Sequence, residues 1–127
     1  MSRQAWLISP KIREVDDLLC RNPSLQGKVR EVHPEISFFF LAGKQPMQYN
    51  NKKPEGFSER LSLLMDYFGE VVQKVLAERR PADFERDDVL DAFAALWTAE
   101  RIIRGEAETI PKNPPVDRHG LRMAIVA

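Results

Sequence analysis

The strongest constraint on this chain is the run from Arg86 to Gly105, which carries both ends and one apolar face of a helix. Val89, Phe93, Leu96 and Ile103 recur near the helical period, and the interior is rich in alanine. Gly105 stands where a helix wants a left-handed residue after its last turn. The opening of the run is acidic, with Asp87, Asp88 and Asp91 inside five residues. Asp87 or Asp88 is expected to be the N-cap, and the rest of the chain is expected to organise around this helix.

Two explanations compete for the acids. Carboxylates in a first helical turn offset the positive end of the helix dipole by about 0.3–1 kcal/mol each, which accounts for one or two of them without any chemistry. Asp91 fits that account less well. It lies a full turn inside, it is a poor helix former, and small residues follow it. Asp88 and Asp91 are three apart and therefore neighbours on one face, the placement that a metal-binding or catalytic pair would also need.

The 127 residues give room for one domain, 1–127, with a modest core. Lys+Arg and Asp+Glu are equal at 19 each, so bulk positive charge does not draw this chain to nucleic acid, although a local patch is compatible with the balance. Cys20 is the only cysteine, which excludes an internal disulfide and a cysteine-based zinc site within one chain. A reducing cytoplasm is the expected location. The apolar run around Ile36 and 38–42 is far short of the roughly 20 residues that span a bilayer, and Trp6-Leu7-Ile8 is too short for a signal-peptide core. No membrane association is expected.

Taken in order, Ser9-Pro10 reads as an N-cap followed by proline at the first helical position, with Ile12, Val15, Leu18 and Leu19 as one stripe to about residue 21. Glu14, Asp16 and Asp17 read as a solvated face. The alternation over 28–33 is a strand signal ended by Pro34, which can itself open a short apolar helix closing at Gly43. Glu31 sits in the middle of that strand, where an acid facing a neighbouring helix has to be paired or functional and is otherwise an edge charge that discourages aggregation. His33 and His119 are assigned to no metal. A polar loop, 43–54, carries Lys52 and Lys53, two lysines that could meet phosphates at the rim of a site. Phe57, Leu61, Leu64, Met65 and Phe68 form a helix stripe that Gly69 kinks or divides, and Val71, Val72, Val75 and Leu76 resume it. Residues 110–115 read as an extended proline-rich segment and 120–126 as a short closing strand.

These pieces together resemble a family of the DUF429 type, an uncharacterised bacterial family of predicted nucleases with an RNase H-like fold. The resemblance is carried by Gln4-Ala5-Trp6, Pro10-Lys11-Ile12-Arg13-Glu14-Val15-Asp16, Arg30-Glu31-Val32-His33-Pro34-Glu35, Lys52-Lys53-Pro54-Glu55-Gly56, Asp87-Asp88-Val89-Leu90-Asp91-Ala92 and Gly120-Leu121-Arg122-Met123. It implies an α/β, mostly helical, partial RNase H-like fold with about four to five helices and one or two strands. In that fold Glu31 would take the fourth-strand acid and Asp88 with Asp91 the acids of the last helix, as catalytic and metal-binding residues. Lys52 and Lys53 would be weak substrate contacts. Oxygen-only ligands suit Mg²⁺ or Mn²⁺, and two ions about 3.5–4 Å apart would serve phosphodiester hydrolysis.

Members of the family begin with about three strands that carry the first catalytic aspartate, whereas this chain starts at what corresponds to the family's middle. The expectation is therefore the C-terminal half of an RNase H-like domain, with its first strands absent and its catalytic site incomplete. Nucleic acid is one expected partner. The other is a second copy of the chain, meeting it through the 28–33 edge or the faces around 36–42 and 89–103, because the missing strands would have covered Val29, Val32, Phe93, Leu96 and Trp97. The alternative reading is a non-catalytic helical oligomerisation or binding module.

Overall fold

The computed structural model describes residues 3–127, and the first two residues of the weakly apolar N-terminal stretch lie outside them. The described residues form six helices: α1 (Arg3–Arg21), α2 (Pro23–Gln26), α3 (Pro34–Leu41), α4 (Pro54–Phe68), α5 (Val71–Glu78) and α6 (Arg86–Arg104). Two short strands, β1 (Thr109–Ile110) and β2 (Ile125–Val126), pair antiparallel. The fold is mostly helical with a small two-stranded sheet.

Three of the helices begin on proline at the first or second helical position, where the missing N–H is not required and φ is already helical. Gly69 ends α4 with φ 71°, a conformation that side chains strain to reach, so the apolar stripe divides there as expected. Gly105 ends α6 in the left-handed conformation, and its N–H bonds back to the last turn.

The core lies where α3, α4, α5 and α6 meet. Phe38, Leu64, Val72, Leu90 and Ala94 are fully buried there, ringed by Leu41, Phe57, Leu61, Phe68 and Phe93. Phe68 and Phe93 pack with their ring centroids 5.2 Å apart and their planes tilted by 56°. Across the α3–α6 contact the buried hydroxyls of Ser37 and Thr98 satisfy each other at 2.9 Å, so neither is left with an unpaired polar group in the apolar layer.

Three local expectations change. The 28–33 stretch is not a strand: only Glu31 makes a bridge, parallel to Ile125, with the Glu31 carbonyl accepting from the Val126 N–H. The cause is local. The N–H groups of Lys28 and Val29 turn back to the Leu25 carbonyl, and Arg30 reaches the carbonyls of Gln26 and Val29, so alternation finds no ladder to join. The first helix does not start at Ser9-Pro10 but runs from Arg3, with Pro10 inside it at the loss of one helical hydrogen bond. The N-cap of α6 is Glu85 rather than Asp87 or Asp88.

Candidate functional site

Around the entrance of α6 the fold gathers carboxylates and two cations from three elements and one loop. Asp88 closes a capping box, its Oδ2 accepting the Glu85 N–H at 2.8 Å. Asp87 accepts a charge-assisted hydrogen bond from the Lys52 ammonium. That bond holds the Asp87 carboxyl below its ordinary range and raises Lys52 above its own. Asp91, one turn further along, is half-buried. Burial first, then the negative charges of Asp87, Glu35 and Asp88, hold its carboxyl above the ordinary aspartate range, and Lys52 opposes them.

Glu35, in the first turn of α3, thus acts on Asp91 through space. It is bound by Arg60 of α4, whose Nε and Nη2 donate to the two carboxylate oxygens at 2.9 and 2.6 Å. The guanidinium is buried, and its Nη1 also donates to the carbonyls of Gly56 and Tyr49 at 2.8 and 3.1 Å. Glu35 and Arg60 line an open cleft of about 580 Å³ with Tyr49 and Asn51, so the pair meets water on one side.

The loop between α3 and α4 places Lys52. Glu59 of α4 accepts the N–H groups of Gln48 and Tyr49, and Asn50 accepts the Lys52 N–H in an Asx turn. Gly56 makes the approach possible, since a Cβ there would sit 2.0 Å from the Asn50 carbonyl oxygen. The loop is consequently clamped on α4 with its lysine reaching α6.

Of the residues singled out from sequence, Asp88, Asp91 and Lys52 share this region. Lys53 stands at the N-cap of α4. Glu31 is exposed, in its bridge to Ile125, and the charges acting on Asp91 are those of Asp87, Glu35, Asp88 and Lys52. Sequence reasoning missed Glu35 and Arg60. A signal existed: Arg60 falls at the helical spacing of Phe57, Leu61 and Leu64, so a charge had been placed on a buried face that demanded an anionic partner.

Whether these residues fit the divalent ion that an RNase H-like centre uses is decided by their donors. Carboxylate oxygens are the right chemistry for Mg²⁺ or Mn²⁺. However, Asp87 is committed to Lys52, Glu35 to Arg60 and one oxygen of Asp88 to the helix cap. Among the described residues no three His, Cys, Asp or Glu side chains are grouped to hold a metal ion. The arrangement does not fit such an ion without rearrangement.

The faces named for self-association are covered only in part by the fold. Trp97 is buried, Phe93 is half-buried, and α3 lies against α6; Leu96, Ile103 and Val29 remain exposed.

No helix is long and apolar enough, among the described residues, to cross a membrane. No curated protein matches the chain, and no solved structure does. Residues 1–116 match the family described as a protein of unknown function, DUF429, and the chain belongs to that family.

Proposed function

We propose that this chain is a helical binding and assembly module related to RNase H-like nucleases, with its own acids held in a form that does not catalyse phosphodiester hydrolysis. The observation that carries this reading is the commitment of the acids at the α6 entrance. Lys52 neutralises Asp87, Arg60 neutralises Glu35, and Asp88 caps the helix that carries it. A carboxylate paired with an ammonium or guanidinium keeps free lone pairs, but its charge is already offset, so a metal has to compete with the bound cation. The module reading predicts that isothermal titration with Mn²⁺ or Mg²⁺ gives no saturable binding at millimolar metal, and that single- and double-stranded DNA and RNA stay intact. Saturable metal uptake that disappears in Asp91→Asn, together with strand cleavage, would overturn it.

One observation favours the second reading, a metal-dependent nuclease that uses Glu31, Asp88 and Asp91 with Mg²⁺ or Mn²⁺. Among the described residues no cation is hydrogen-bonded to Asp91, and its carboxyl is held high by burial and by its acidic neighbours. Added positive charge would relieve it. The same titration separates the two readings.

A further inference from the structure

The least accounted-for surface of the molecule is α1. Its main neighbour among the named elements is the single turn of α2, and it takes no share of the core between α3 and α6. Leu7, Ile8, Ile12, Val15 and Leu18 are all exposed, at 67, 51, 60, 47 and 48%. Their spacing puts Ile8, Ile12 and Val15 along the middle of one face, with Leu7 and Leu18 on its flank. Pro10 lies on the opposite side of the helix, where it does not interrupt the stripe. A folded monomer of this mass, 14.6 kDa, exposes about 6,900 Å² of surface, whereas this chain exposes 9308 Å². The excess of roughly 2,400 Å² is larger than the about 800 Å² per partner that a standard interface removes.

The charges on α1 select what covers that face. Lys11 and Arg13 precede Glu14, Asp16 and Asp17, so the middle of the helix is basic and the next turn acidic. On the flank of the stripe the order is Leu7, Lys11, Glu14, Leu18, all exposed. An antiparallel pair of such helices brings each flank against the same flank of its neighbour in reverse order. Lys11 then meets Glu14 of the partner subunit, Leu7 meets Leu18 of the partner subunit, and Ile12 packs beside Val15 of the partner subunit. A parallel pair would instead leave Leu7 and Leu18 at opposite ends of the contact, with neither set against the other. We infer that α1 pairs antiparallel with α1 of a second copy of this chain, across a two-fold axis near residues 12–14. This deepens the module reading by naming its partner, and it rests on that reading only in so far as assembly is the module's role. The contact is isologous and self-limiting, so it closes as a dimer.

Sedimentation of the full chain tests it, independently of any metal or nuclease measurement. The wild type is expected to be a dimer at about 100 µM, and Ile12→Glu a monomer at that concentration with unchanged helical circular dichroism. Lys11→Glu places like charges at both symmetry-related contacts and is expected to weaken the dimer by about tenfold or more. Lys11→Glu combined with Glu14→Lys restores the opposite pairing and should recover most of that loss. A wild-type monomer at about 100 µM would overturn the inference, since the face would then belong to another partner. So would a folded Ile12→Glu variant that remains dimeric, or a double swap no tighter than Lys11→Glu alone.

Discussion

Asp91 carries an electrostatic cost that Lys52 only partly offsets, and its sign makes a pH prediction. An acid whose folded pKa lies above its unfolded value binds its proton more tightly when folded. Ionising Asp91 therefore works against the fold at neutral pH, and that penalty fades as pH falls through the folded pKa toward the ordinary value of 3.8. Asp87 runs the other way. Its carboxyl is held low by the Lys52 hydrogen bond, so its contribution is present above 3.8 and is lost as pH falls through the depressed value. Asp91→Asn should raise stability at pH 7 by under about 1 kcal/mol, with the gain shrinking toward acid pH, whereas Asp87→Asn should lower it. Thermal melts of both variants between neutral and acid pH check this. A lower melting temperature for Asp91→Asn at pH 7 would mean that its carboxylate makes a contact the fold needs.

At the scale of elements, the two ends of the site are held by different means. α6 is held at its entrance by the capping box, in which Asp88 is the third-position acid accepting the Glu85 N–H, so Asp88→Ala should cost about 0.5–1.5 kcal/mol in chemical denaturation even though the residue stands three from Asp91 and shares its charge. Opposite signs for Asp88→Ala and Asp91→Asn would separate the capping acid from the acid under strain. The loop that delivers Lys52 is held by close approach to α4. Gly56→Ala forces a Cβ to within 2.0 Å of the Asn50 carbonyl oxygen, and backbone cannot rotate away as a side chain would. A loss of about 1–3 kcal/mol is expected. It should be accompanied by release of Lys52 from Asp87, visible as a rise in the Asp87 carboxyl pKa by NMR.

The whole molecule is uneven in its support. α3, α4, α5 and α6 share a buried core, whereas α1 shows most of its apolar residues to solvent. Amide exchange should divide accordingly. In the Ile12→Glu variant, amides of α4 and α6 around Leu64, Leu90 and Ala94 should open only with global unfolding, while those of α1 up to about residue 15 should exchange through local fraying. Equal protection of α1 and the core in that variant would show that the helix is held by contacts within its own chain.

What the sequence by itself determined was whatever nearest neighbours decide. The left-handed Gly105 closed α6, Gly69 divided the stripe of α4 from that of α5, and Pro34 opened α3, because each needs only its own backbone geometry and a few residues on either side. The acidic entrance of α6 was equally local, whereas the mostly helical class was an expectation from the family resemblance. Tertiary structure alone decided the partners. Glu35 and Arg60 stand 25 residues apart, Lys52 and Asp87 35, and Ser37 and Thr98 61, so no local pattern could pair them. The 28–33 alternation failed for a related reason. A strand is stable only beside another strand, and here the one neighbour within reach of Glu31 is a two-residue segment from the far end of the chain. Propensity can offer a strand, but long-range packing decides whether it has anything to pair with.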